Sequence, residues 1–208
     1  MRSRNIFKKA LACGLAALAL TAAANEADIV AEAFDRDELG KKWHINNGEW
    51  KIVDGALRIK ELKADKHAAS GRWLVPSQDA AYSLRFRLSE NCRAFHVGFD
   101  PARGELKKKG HLYSVIITPT TWRIMKHVDK SNPKQDPNQV LASAPAAFKA
   151  GAWYSLKILG RGDRVTASIE GIGELTASHP TFHVKKPTLV FRCVGDHVEI
   201  DDVTVTRP

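Results

Sequence analysis

The sequence predicts an all-β chain folded as two antiparallel sheets packed into a sandwich, and three observations predict it. From residue 49 onward apolar residues recur with period two, the spacing that puts them all on one side of a strand. The alternating runs are short and closed by Gly, Pro, Asp or Asn. No segment after the N-terminal leader sustains an apolar repeat at three and four residues, so long helices are not expected. About ten strands in roughly 180 residues favour a two-layer sandwich over a small barrel.

The elements follow in order. Phe34 to Leu39 reads as a helical turn. Trp50 and Ile52, then Asp54-Gly55, then Leu57 and Ile59 predict a hairpin over 49–60, because Asp-Gly accepts the positive φ of a tight turn. Tyr82, Leu84, Phe86 and Leu88 form the next run, and Phe95, Val97 and Phe99 the one after. Strands are expected over 112–118 and 121–128, turning at Pro119-Thr120. Two more, 153–159 and 165–170, are joined by Gly160-Arg161-Gly162-Asp163. The last pair, 188–194 and 198–206, breaks at Gly195-Asp196. Residues 129–138, with two prolines and four charges, read as a long exposed loop of the kind that frames sites.

The N-terminus reads differently. Arg2, Arg4, Lys8 and Lys9 precede an uncharged run from Ala10 to Ala24 that ends in three alanines. This is the pattern of a secretory signal peptide over residues 1–24, which leaves one domain over 25–208 and predicts export to the periplasm or the cell exterior. The run is short for a bilayer span and no later one approaches the required ~20 residues, so no membrane span is expected. The 32 basic and 23 acidic residues give +9, but without the leader's four cations the balance is 28 against 23, or +5. That mild excess, on an exported chain, does not predict nucleic-acid binding. Cys92 and Cys193 are the cysteines beyond the leader, able to form a disulfide if their strands are neighbours and otherwise two buried thiols.

Two stretches carry a resemblance. WHINNGEWKIVDGAL (43–57) and LVFRCVGDHVEIDDVTVTRP (189–208) resemble the opening and closing strand pairs of the 3-keto-disaccharide hydrolase-like family. That resemblance implies a concanavalin A-like jelly roll, often labelled as a laminarinase-type glycoside hydrolase. The matched residues are mostly core and turn residues, so activity has to be argued from a site.

Laminarinase-type enzymes carry alternate carboxylates on one strand, as Glu-x-Asp-x-Glu or Glu-x-Asp-x-x-Glu. Glu199 and Asp201 match the first two, but Val203 and Thr204 stand where the third would be. A structural edge strand or turn is the stronger reading of that segment. The better candidate is a polar sheet face. If Leu84, Phe86, Phe95, Val97 and Phe99 point inward, then Arg85, Arg87, His96 and Asp100 point outward, joined by Arg123, His127, Tyr113 and Arg192. Such a face suits a carbohydrate or glycoside: guanidinium and carboxylate groups hydrogen-bond hydroxyl pairs, and rings stack on sugars. His96, His127 and Asp100 are the candidate proton carriers; Arg85, Arg87, Tyr113, Arg123 and Arg192 are the candidate binding groups. A proton beside a 3-keto group is easier to remove than an unactivated glycosidic bond is to break, so one acid and one base would suffice. The alternatives are a non-catalytic glycan-binding module and a structural adhesion domain.

No cofactor is expected. The eight histidines lack the close spacing of a zinc site, whereas Asp35, Asp37, Asp201 and Asp202 offer hard oxygen ligands for the structural calcium that the resemblance makes conceivable. Ser114 and Ser155 lack the context of a nucleophilic serine, and Lys107-Lys108-Lys109 reads as a solvated loop tip, the alternative being attraction to an acidic polysaccharide. A monomer is expected.

Overall fold

The computed structural model describes residues 28–207. The proposed signal peptide, 1–24, lies outside them. The described residues form fifteen strands and one short 3-10 turn, Lys63–Asp65. In chain order the strands are β1 Asp28–Glu32, β2 Trp43–Asn47, β3 Glu49–Val53, β4 Ala56–Lys60, β5 Ala69–Ser77, β6 Ala80–Leu88, β7 Cys92–Phe99, β8 Tyr113–Ile117, β9 Thr121–Lys126, β10 Gln139–Pro145, β11 Tyr154–Arg161, β12 Arg164–Ile169, β13 Gly173–Ser178, β14 Lys186–Gly195 and β15 His197–Arg207.

They build two antiparallel sheets. The first runs β13-β12-β11-β6-β15-β4-β3, with β1 also paired to β15, and the second runs β10-β9-β8-β7-β14-β5-β2. The predicted hairpins form: β3 meets β4 across Asp54 and Gly55, both at positive φ, and β11 meets β12 across Gly162. The alternation of β6 is complete, with Ala80, Tyr82, Leu84, Phe86 and Leu88 all buried. A seam of aromatic rings joins the layers. Trp73, Trp43, Phe191 and Phe95 stack in succession, and Tyr82, Phe99, Tyr113 and Phe182 form a second run. Burying a ring of this size contributes roughly 1.5–3 kcal/mol each.

Four expectations need correction. Residues 34–39 form a bend, with no helical turn, and Phe34 sits at a φ of 53° with its ring in the core. The C-terminal strand β15 is interior, hydrogen-bonded to β6 on one side and to β4 and β1 on the other. β6 and β7 follow each other in sequence but belong to different sheets, so Arg85 and Arg87 do not share a face with His96 and Asp100. Tyr113 points into the core, fully buried against Phe99 and Phe182, and burial pushes its phenol well above the ordinary value. Cys92 and Cys193 do lie on the neighbouring strands β7 and β14, and are buried free thiols. No helix among the described residues is long and apolar enough to cross a membrane.

Candidate functional site on the outer face of the second sheet

The register of the second sheet assembles a polar row residue by residue. Opposite His96 on β7 stand Ile116 on β8 and Arg192 on β14, followed by Ser70 on β5 and Asn47 on β2. The adjacent row holds Ser114, Gly98, Val190 and Arg72. All these positions alternate with core residues, so their side chains emerge on the outer face. All of them but Ile116, together with Asn46, His67, His111, Met125, His127 and Asn138, line a cleft of about 510 Å³.

Gly98 forms its floor. A Cβ there would sit 2.5 Å from the Ser114 hydroxyl, so only glycine leaves room for Ser114 Oγ to reach His127 Nε2, 2.7 Å away. Beside the cleft, Asp100 binds two partners at once. Arg72 Nε donates to Oδ2 at 2.8 Å, and His111 Nδ1 donates to Oδ1 at 2.5 Å. Burial alone would raise the Asp100 carboxyl, but these bonds and charges outweigh it and hold it below the ordinary value. The His111 and His127 rings meet edge to face at 5.5 Å.

Electrostatics separate the histidines. Burial, then the positive charge of Arg192, pushes His96 down to about 3. Burial, then His111 and Lys108, pushes His127 down to about 4. Both rings are therefore neutral at pH 7. Arg192 has no carboxylate partner among the described residues. Arg123 shares the face but lies beyond Ile116, lining a separate cleft of about 410 Å³ at the β9–β10 edge. Its buried Nε has no hydrogen-bond partner.

Of the sequence candidates, His96, His127 and Arg192 thus meet in the cleft, Asp100 borders it and Arg123 flanks it. Arg85 and Arg87 occupy the opposite side of the sandwich. There both guanidinium groups lie 4.8 Å from the Trp153 ring, Arg87 and Arg58 bind the buried Glu199, and Arg85 faces Asp201 and Asp202. The carboxylates of the C-terminal strand therefore serve ion pairs on the first sheet. Among the described residues no three of His, Cys, Asp and Glu cluster as a metal site.

Sequence reasoning missed Arg72, His67, His111, Asn46, Asn47 and Asn138. Arg72 was legible in principle, since Ala69, Gly71, Trp73 and Val75 alternate, but small residues at the inward positions weaken that signal. Ser114 was dismissed for want of a nucleophile motif, although it is the hydrogen-bond partner of His127.

No protein-family model matches the chain, and neither does any curated protein. Among solved structures it is similar to an endo-β-1,3(4)-glucanase of family GH16 at a TM-score of 0.65 and 14% identity, covering 88% of this chain and 92% of that one. The laminarinase of Rhodothermus marinus matches at a TM-score of 0.63 and 11% identity, over 88% and 98% of the two chains. The carbohydrate-binding module CBM66 of Bacillus subtilis matches at 0.57 and 15%, over 80% and 92%. At such identities the likeness is one of fold, a jelly-roll sandwich.

Proposed function

We propose that this jelly-roll chain is an exported, carbohydrate-active protein that works through the outer cleft of its second sheet, cleaving glycosides by proton transfer. One observation carries the reading: two neutral histidines and an unpaired arginine converge on one cleft, with a single nearby carboxylate. The glucanase and the carbohydrate-binding module among its structural neighbours support a glycan as the ligand.

The usual glycosidase needs two carboxyl groups flanking the scissile bond. Here Asp100 has both oxygens engaged, and Glu199, Asp201 and Asp202 lie on the other sheet. The cleft instead suits a sugar whose C–H is acidified by a neighbouring carbonyl, as in a 3-keto-glycoside. Ser114 relays the proton from C2, its oxygen accepting it as its own hydroxyl hydrogen passes to His127 Nε2, and the Arg192 guanidinium stabilises the enolate that forms at the keto oxygen. The electron pair then makes the C1–C2 double bond as the C1–O bond breaks, and the protonated His127 returns its proton through Ser114 to the departing oxygen. Addition of water to the resulting enone completes a net hydrolysis. Gly98 and Ser114 fix the His127 ring, and Arg72 and Asp100 orient His111 beside it.

A second reading has its own support. Because Asp100 is fully committed to Arg72 and His111, the same face could bind a glycan without chemistry. Incubating 3-keto-disaccharides and their unoxidised parents with wild type, His127→Ala and Arg192→Ala separates the two. Turnover of the keto sugars that both variants lose supports cleavage. Measurable glycan binding with no turnover of either class leaves a binding module.

A further inference from the structure

The cleft has a neighbour. Loop residues between Asp100 and Gly110, with Lys130, line a second, open hollow of about 460 Å³, and Arg72 and His111 line both hollows. The Asp100, Arg72 and His111 cluster is thus a shared wall, and a ligand crossing it passes from one hollow to the next.

The second hollow is cationic to an unusual degree. Arg72, Arg103, Lys108 and Lys130 line it against one carboxylate, Asp100, whose oxygens are already taken by Arg72 and His111. Arg103 and Lys130 have no carboxylate partner among the described residues. Lys108 donates to the His127 carbonyl, which links this hollow to the base of the first. Burial, then the charge of Lys126, lowers the Lys108 amine to about 8, the cost of holding a cation without a paired anion. The nearby Asp129 is turned to other work, accepting from the Lys109 and Ser131 amides and the Ser131 hydroxyl. Arg72 and Lys108 are partly buried and Arg103 and Lys130 exposed, so four cations from one strand and two loops converge on one open hollow beside a polar cleft. An arriving anion would supply the missing partner for several of them at once.

We propose that the second hollow is a subsite for a carboxylate-bearing sugar, so that the glycan this protein engages is an acidic polysaccharide lying across both hollows. The planar guanidinium of Arg103 matches a carboxylate in a bidentate fork, with the Lys108 and Lys130 amines beside it. Neither hollow is lined by Phe, Tyr or Trp, which disfavours single-stranded nucleic acid, whose bases need stacking platforms. The proposal rests on the preceding section only for the glycan as ligand, and not on any turnover.

Calorimetric titration tests it, with oligogalacturonate, a sulfated oligosaccharide, a neutral cello-oligosaccharide and a single-stranded DNA oligonucleotide as probes. The expected result is tightest binding of oligogalacturonate, weakened about tenfold or more as salt rises and again in Arg103→Ala/Lys130→Ala. That double variant changes two surface side chains, so a matching thermal unfolding curve checks its fold. Preference for the sulfated probe, for DNA or for the neutral sugar overturns the carboxylate subsite, as does oligogalacturonate binding that ignores the double variant. Failure of 3-keto turnover leaves these outcomes untouched, which keeps the two proposals separately refutable.

Discussion

Both outer faces of the sandwich carry arginines, and they put them to opposite uses. On the first sheet, Arg58 and Arg87 clasp Glu199, Arg85 faces Asp201 and Asp202, and two of the three lie over Trp153. Each positive charge has a fixed partner, so the cluster is closed and structural. On the second sheet Arg192 has no carboxylate, and the one acid present is shared between Arg72 and His111. Residue type does not distinguish a site from a braced surface here. What distinguishes them is whether the charge is already answered within the protein.

That contrast can be broken most directly at His127. Replacing it by alanine should lower turnover of a 3-keto-glycoside by roughly 10²–10⁴-fold, the usual worth of a general base, with little change in stability; unaltered turnover in a steady-state assay removes His127 from the chemistry. The mirror experiment is Glu199→Ala, which leaves Arg58 and Arg87 facing each other across a buried gap. A loss of about 2–3 kcal/mol in denaturant unfolding is expected, below the full cost of breaking a buried pair because both arginines are partly exposed, with glycan binding unchanged. A smaller effect compares arginines directly. Arg192→Ala should weaken glycan binding by about tenfold, and Arg85→Ala should leave it unchanged, since only Arg192 is free to meet a ligand. Equal losses in both variants would falsify the division of labour between the faces.

A further contrast between the faces lies in pH dependence. His96 and His127 have folded values of about 3 and 4, below the unfolded value near 6.5. Between those limits the unfolded chain binds more protons, so stability is complete above about 6.5 and falls as pH drops toward 4 and then 3. His96→Gln and His127→Gln should each flatten that slope in thermal melts between pH 4 and 6.5. Arg85→Ala should not.

How much of this was legible in the sequence follows from what period two can say. Alternation reports which side chains face the core, and it placed Phe95, Val97 and Phe99 inside and His96 outside. It does not say which of two outer faces a residue joins. β6 and β7 are separated by only three residues and look like a hairpin, yet β6 pairs with β11 and β15 while β7 pairs with β8 and β14. Arg85 and Arg87 were misplaced for that reason. Tyr113 failed for another: every residue of β8 is buried, so the strand has no alternation to read. β10, at the edge, has no buried residue and gave no signal either. His111 lies in a connecting segment, where pattern carries no information about neighbours.

The antiparallel pairing of β1 with the end of β15 sets Asp28 opposite Arg207, joined by an ion pair of 2.6 Å in the sheet that does not carry the clefts. An attachment made at either of these positions therefore leaves from the opposite layer. Immobilising the domain on a resin or sensor chip through residue 207 should leave both hollows turned toward the liquid, so that glycans can be screened without the support masking the surface under test.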